Sequence, residues 1–429
     1  MGVLKRILLS LIICVGSLPL LIYAADDKAD IKNEIALLKK QIQNLEMRIA
    51  SSDKIKPVQK QAKDKKSNNK SPNVVSQEII SPAVSTPLSW QGPDISALIV
   101  GGASAGYSKP SAYYGSFNLL DFNPVFLFGY KDLVFLRASP DFSIDDQGNT
   151  QTTLNYANLN LFLNDYAVLG AGEFDSGLGY FVQNLSPAWI NKLADAPVGF
   201  SGNQAAPQTD VGIRLQGGFP LFSNAHINYN VFLLNGSQGL VDTSDTVVNY
   251  NVIDYINTGG FTNNYGNYVM GGRLGFLPIP KLEIGITVAG GKIVLLDAAD
   301  GTTVLQSGRH YNALGADISY KWNNLDLRGE IIQQQVSSQP GSIVPQAERW
   351  KAWYLQAAYR FPSTNWEPVV RYGKFTSPIS SQQQGQVAFG LDYWFASSIA
   401  AQVEYEINHG QPVSGNNLNL FLIQLVFGF

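Results

Sequence analysis

The sequence is short of cysteine, histidine and charge. Its single cysteine, Cys14, and three histidines among 429 residues leave no pair for a disulfide and no thiolate or imidazole set for a structural metal. Charged residues make up 15% of the chain, against about 25% in typical soluble proteins. The 30 basic and 33 acidic side chains nearly cancel, so the strongly basic field that holds nucleic acid is missing. Long apolar runs are scarce too. Beyond the N-terminus none reaches the roughly 18 residues of a spanning helix, which excludes a helical membrane bundle. The chain is rich instead in glycine (40), tyrosine (20) and phenylalanine (22), at a mean hydropathy of −0.02. An ordinary cytosolic enzyme does not have this texture.

Residues 1–24 read as an export signal. Lys5 and Arg6 precede an apolar stretch from Ile7 to Ile22, and Tyr23-Ala24-Ala25 offers a small-residue cleavage site. Bulky Ile13 before Cys14 argues against a lipoprotein cysteine, and cleavage leaves the mature chain without any. Residues 25–50 carry a heptad seam, with Ile35, Ile42 and Ile49 at a and Ile31, Leu38 and Leu45 at d. A short periplasmic coiled coil is expected, with a single amphipathic helix on the body as the alternative. Residues 51–89 alternate lysine with Gln, Asn and Ser and are broken by Pro57, Pro72, Pro82 and Pro87. They read as a disordered linker; contact with peptidoglycan through residues 25–70 is the competing reading. Residues 1–89 hold 14 basic and 8 acidic side chains, leaving 16 and 25 in residues 90–429. No nucleic acid partner is expected.

From residue 90 the texture changes to period two. Ile399, Ala401, Val403, Tyr405 and Ile407 share one face, with Gln402, Glu404, Glu406 and Asn408 on the other. Segments of ten to fourteen residues with this alternation, and no helices between them, have the length and pattern of tilted membrane strands. They fall at 94–107, 123–130, 133–144, 151–164, 166–177, 208–221, 225–237 and 265–279. Eight more follow at 282–294, 310–323, 325–338, 349–361, 366–377, 385–398, 399–410 and 416–429. The fold class is therefore an all-β transmembrane barrel of sixteen antiparallel strands.

Very short joins alternate with longer ones at 108–122, 178–207, 238–264 and 295–309. Barrels have short periplasmic turns and long external loops, and with a periplasmic N-terminus every short join lands on the periplasmic side. Tyr130, Tyr166, Phe222, Trp322, Phe361, Trp366 and Phe395 cluster near the short joins, and Trp350 and Trp353 mark the opposite rim. Such girdles sit at the two membrane interfaces.

The last segment alternates through Phe421, Ile423, Leu425 and Phe427 to a terminal Phe429. It resembles the closing signature of Gram-negative outer-membrane barrels, which implies recognition of Phe429 by the barrel-assembly machinery. The run Asn-Pro-Val-Phe-Leu-Phe-Gly-Tyr-Lys-Asp-Leu-Val-Phe-Leu at 123–136, residues 154–165 and the stretch from Ser186 to Leu193 resemble phosphate-selective-porin-like barrels. Those are sixteen-stranded trimers, some with N-terminal coiled coils. The close likeness covers about 80 residues, and a weaker one runs to plug-less siderophore porins of legiobactin-receptor type. One departure stands out: Ala171-Gly172-Glu173-Phe174 carries an acid where that group tends to have lysine, which tells against anion selectivity.

The resemblance implies a passive channel in a Gram-negative outer membrane, surrounded by its lipids, with a homotrimer expected and a dimer as the alternative. It also implies that loop 178–207 folds inward and narrows the pore; an external lid is the other reading. Lys192, Asp195, Glu173 and Asp175 are then the constriction candidates. The pleat puts Asp141, Glu173, Asp175, Asp210, Glu283, Asp317, Asp326, Glu330, Asp392, Glu404 and Glu406 on the lumen side, with Arg137, Arg214, Arg273, Lys321, Arg328, Arg360 and Arg371. Acids outnumber bases there, which hints at weak cation preference. Two other function classes remain in view. An adhesive or structural barrel would rely on its long loops. A membrane-embedded hydrolase would need a base, for which His226, His310 and His409 are the candidates, but no Gly-x-Ser-x-Gly run accompanies them. No enzyme, cofactor or metal site is expected, and residues 26–93 are too few for the plug of an energy-coupled receptor.

Overall fold

The computed structural model describes residues 88–91, 94–144, 148–201, 204–222, 224–243, 252–257, 265–410 and 418–429. The expected export signal, the helix over 25–50 and nearly all of the linker over 51–89 lie outside these residues. Sixteen long strands form the wall. They are β1 Ile95–Pro110, β2 Ser116–Tyr130, β3 Val134–Ile144, β4 Thr150–Asn164, β5 Ala167–Asp175, β6 Thr209–Pro220, β7 His226–Leu234 and β8 Val269–Ile279. The second half is β9 Leu282–Asp297, β10 Val304–Trp322, β11 Leu325–Val336, β12 Glu348–Tyr359, β13 Trp366–Thr376, β14 Gln384–Ala396, β15 Ile399–Gly410 and β16 Leu420–Gly428. Every one overlaps a segment expected from the alternation.

Each strand pairs antiparallel with the next, and β16 pairs with β1 from Leu420↔Pro110 to Gly428↔Gly102. The barrel is closed. Gly101 and Phe429 continue that ladder by exchanging backbone hydrogen bonds of 2.9 Å each way. A short strand, Leu88–Gln91, then pairs with the remaining part of β1, from Leu88↔Ile99 to Gln91↔Ser96. The expected linker therefore ends in ordered strand.

Alternation sorts the side chains as the sequence leads one to expect. Ile286, Leu314, Leu355, Phe389 and Leu425 are among the large apolar residues exposed on the outer wall. A band this extensive is solvated by lipid, not water. All seven aromatics expected near the short joins are exposed. Trp350 is a correction: it is fully buried, on the same pleat side as buried Ala352 and Tyr354, while Trp353 takes the outer side. Because side chains alternate, two tryptophans three residues apart cannot both belong to one outer girdle.

Two expected long loops are much shorter than anticipated. The join over 108–122 shrinks to 111–115 because β1 and β2 stay paired through Ala105↔Leu120 and Gly106↔Leu119, with a bulge before Ser108↔Ser116. The join over 295–309 shrinks to 298–303, as β9 and β10 run on past two register shifts to Leu296↔Val304. There the Asp300 carboxylate accepts from the Thr302 and Thr303 backbone N–H groups, both at 2.8 Å. Those three hydrogen-bonding contacts, the Thr303 hydroxyl included, hold its pKa down to about 2.

An outer position midway along a strand should reject charge. Phe389→Arg on β14, where Phe389 pairs with Val370 and Tyr405, should cost about 2–4 kcal/mol in a bilayer. Urea titration of the folded barrel in vesicles reads this directly, and a loss near zero would contradict a lipid-facing wall.

Candidate functional site in the barrel interior

The inner side of the wall is polar and densely bonded. Arg273 binds Asp317 through two nitrogens, at 2.9 and 2.6 Å, and reaches Glu283 at 2.8 Å. Arg328 binds Asp326 at 2.8 and 3.0 Å. Arg137 donates to the Tyr156 hydroxyl at 2.8 Å and lies 3.6 Å from Asp175. Arg214 stacks over the Phe174 ring at 4.5 Å, and Asp210 is buried on the same strand. Asp392 is also buried. Arg360, at a short turn, lies over the Trp394 ring.

The segment between β5 and β6, residues 176–208, makes its contacts with strands on the far side of the barrel. It opens with a short helix, α1 Phe181–Leu185. The Tyr180 and Phe181 N–H groups, unpaired at this helix start, donate to the two carboxylate oxygens of Glu330 on β11, at 2.9 and 2.8 Å. Farther along, Lys192 is ion-paired to Glu367 on β13, and Asp326 on β11 lies 3.9 Å away. The Asp195 N–H donates to Glu404 on β15 at 3.0 Å. Arg371 on β13 donates to the carbonyls of Asp195 and Ala196, at 2.9 and 3.1 Å, with Glu404 and Glu406 at 3.3 and 3.7 Å. Burial pushes the Asp195 carboxyl above the ordinary carboxylate range, partly offset by Arg371.

Apolar packing holds the same segment. Phe181, Phe200 and Tyr354 meet edge to face, with ring centroids 5.1–6.0 Å apart. Leu178, Val182 and Leu185 join Ile332, Trp350 and Phe375 of the wall in one buried cluster. Val241, Ile253 and Ile256, from the connection 235–268, belong to it as well. The interior is thus dry where 176–208 meets β11–β13. Near the seam, Trp189 lies on a glycine-paved patch. A Cβ on Gly102 would sit 2.2 Å from its ring, and one on Gly428 would sit 2.9 Å away, so any side chain at either position would displace it.

Among the described residues, three sizeable cavities with polar side chains in their linings lie around the segment. One of about 260 Å³ lies at the long-loop end, between Asp195, Ser201 and Gln204 and the strand residues Gln384, Gln386, Glu406 and Asn408. One of about 370 Å³ opens between the segment and β2–β4, where Asp121, Arg137, Asp141, Asn155 and Tyr156 face it along with Asp175. A third of about 330 Å³ lies toward the short turns, beside Gln216, Asn228, Arg273 and Glu283. Ala196 lines the first two, and Gln183 and Asn184 line the last two.

Of the four constriction candidates, Asp175 faces the middle cavity, and Lys192 and Asp195 are tied to the wall. Glu173 lines none of the three cavities. Its ladder partners Ala157 and Val211 share a pleat side with exposed Leu159 and Ile213, which sets Glu173 on the outer side. Asp121 and Glu367 were missed. Asp121 precedes the expected start of its strand at 123, and Glu367 needed only the alternation from exposed Trp366 to be found. His310 pairs with Lys292, and His409 with Gly385, on outer pleat positions, away from every cavity named above.

No family model and no curated protein matches the chain. Solved structures do. The outer-membrane channel DcaP of Acinetobacter baumannii is similar at 10% identity and a TM-score of 0.53, over 79% of this chain and 99% of that one. An anion-selective porin from Comamonas acidovorans is similar at 12% identity and 0.50, over 78% of this chain and 100% of its own. Salmonella typhi OmpF in complex with daunomycin is similar at 11% identity and 0.50, over 80% and 100%. At these identities the likeness concerns fold: the chain has the sixteen-stranded barrel of outer-membrane porins.

Proposed function

We propose that the protein is an outer-membrane porin that passes small hydrophilic solutes or ions by diffusion, narrowed by loop 178–207. The observation that carries this reading is the serial arrangement of the three polar cavities, which share lining residues from the long-loop end to the short-turn end. The loop is bound to β11–β15 on one side, which leaves the route along β2–β4 on the other. Its spaces of a few hundred Å³ suit solutes of sugar or amino-acid size.

Asp121, Asp141, Asp175 and Glu283 line the two larger cavities with Arg137 and Arg273. This excess of acid favours cations weakly, unlike the selectivity in the name of the Comamonas porin. The expected arrangement in the cell is a homotrimer with a periplasmic N-terminus. In this reading residues 1–24 are removed on export, 25–50 form the coiled coil, 51–89 tether it and 90–429 form the barrel. Passage of a siderophore by the same route remains the runner-up, supported only by the family resemblance.

Planar-bilayer recordings test the channel. Discrete open steps with a reversal potential favouring cations are expected in a salt gradient; a folded barrel without steps would refute the reading. Asp121→Asn with Asp141→Asn should move the reversal potential toward anions and leave the strand fold intact. An unchanged potential would remove the β2–β4 side from the pathway.

Loop attachment gives a separate test. Arg371→Ala strips two carbonyls and two carboxylates of their donor, and breaking a buried pair costs about 3–5 kcal/mol. Conductance should rise and become noisy, and amide exchange over residues 188–200 should accelerate. An unaltered conductance with accelerated exchange would show that the loop does not limit flow.

A further inference from the structure

The outer wall carries charge of one sign only near the long-loop end of β12 and β13. All seven acidic side chains of β11–β15, from Asp326 to Glu406, are buried on the inner side. On the outer side of β12 and β13 stand Arg349, Lys351 and Lys374. Arg349 and Lys351 are two residues apart on one strand. Lys351 pairs with Thr376 and Lys374 with Trp353, so the two lysines are diagonal neighbours, at about 7–8 Å by sheet geometry. Among the described residues none of the three has a carboxylate within ion-pair distance; Arg349 reaches only the Gln335 amide oxygen, at 3.2 Å.

Three cations this close repel one another unless an anion lies among them. The wall beside them is bare. Gly385, opposite Lys374, would find nothing nearer than 3.8 Å from a Cβ. Immediately below, Trp353 and Tyr372 meet edge to face, centroids 5.3 Å apart, and exposed Leu355, Val370 and Phe389 follow down the wall. Cations above, an aromatic rung, then aliphatic surface is the order in which a membrane lipid presents phosphate, interface and acyl chain.

We infer that this face docks a phosphorylated lipid of the outer leaflet, with its phosphate held by Arg349, Lys351 and Lys374 and its chains along Trp353, Tyr372 and Leu355. The guanidinium supplies two parallel N–H donors to phosphate, and the lysines add point charges. The position on the lipid-contacting wall, with apolar residues beneath, selects a lipid over free phosphate. The inference rests on the outer-membrane orientation proposed above.

The test uses the full chain in detergent micelles, titrated with a bis-phosphorylated, acylated glucosamine disaccharide and followed by native mass spectrometry. Its dephosphorylated form is the control, and inorganic phosphate is the competitor. Retention is expected for the phosphorylated lipid alone, with affinity falling about fivefold for each charge removed in Arg349→Gln, Lys351→Gln and Lys374→Gln. The pair Lys351→Arg and Lys374→Arg should keep it. Equal retention of the dephosphorylated lipid, no loss in the triple variant, or full displacement by inorganic phosphate would each overturn the lipid site. If the triple variant fails to fold, ionic strength decides on the unaltered protein: retention should fall steeply with salt, and salt-independent retention overturns the inference. Conductance recorded on the same preparations separates the two readings. Lost steps with lipid retained count against the channel alone, and lost retention with normal steps counts against the lipid site alone.

Discussion

A wall of strands in lipid has no water to satisfy an open edge, so its last strand must find its first. Here that closure is made by the ladder between β16 and β1 and finished by Gly101 and Phe429. The short strand Leu88–Gln91 occupies the length of β1 that β16 leaves unpaired. Once the wall is closed, every residue of a strand faces either lipid or the interior. The two-sided character of each strand follows from that single constraint.

The inward sorting creates its own difficulty. Strands β11–β15 bring several carboxylates into a confined space, where unpaired charge is costly. The segment 176–208 answers with donors. Backbone N–H groups of Tyr180 and Phe181 satisfy Glu330, that of Asp195 satisfies Glu404, and Lys192 meets Glu367. Arg371 points the other way and binds the segment's carbonyls. Lys192 and Asp195 are the segment's only charged residues. Lys192 attaches through its ammonium and Asp195 through its backbone, and the cavity against β2–β4 takes its charges from the wall.

The fold was legible because period two survives in almost every strand and because short and long joins alternate with the right parity. What escaped the sequence has specific causes. Ladder pairing ran past residues with no apolar alternation, so the joins at 111–115 and 298–303 looked longer than they are. Trp350 resembled a girdle residue by type, although its pleat side put it within. The dry half of the interior left a trace that could have been read: Ile331-Ile332 and Ala352-Trp353-Tyr354 are apolar on both faces of their strands. Such a break in alternation marks where something covers the inner wall. For Glu173 the alternation alone suggested a lumen position, whereas the register sets it with Ala157 and Val211 on the outer side.

Separating attachment from passage has a physical consequence. The segment is held on β11–β15, and the cavity of about 370 Å³ opens against β2–β4. Asp121 is bonded to Ser104 of the wall, so a substitution there changes the charge lining that cavity without touching the segment's attachments. Glu330 and Arg371 hold the segment and line none of that cavity. The near-neutral net charge of the chain conceals the same division of labour. The seven acids of β11–β15 lie inside the barrel while Arg349, Lys351 and Lys374 stand outside near the long-loop end. The one surface meets the solute and the other meets the membrane, and neither has to compromise with the other because the pleat of a closed sheet keeps them apart.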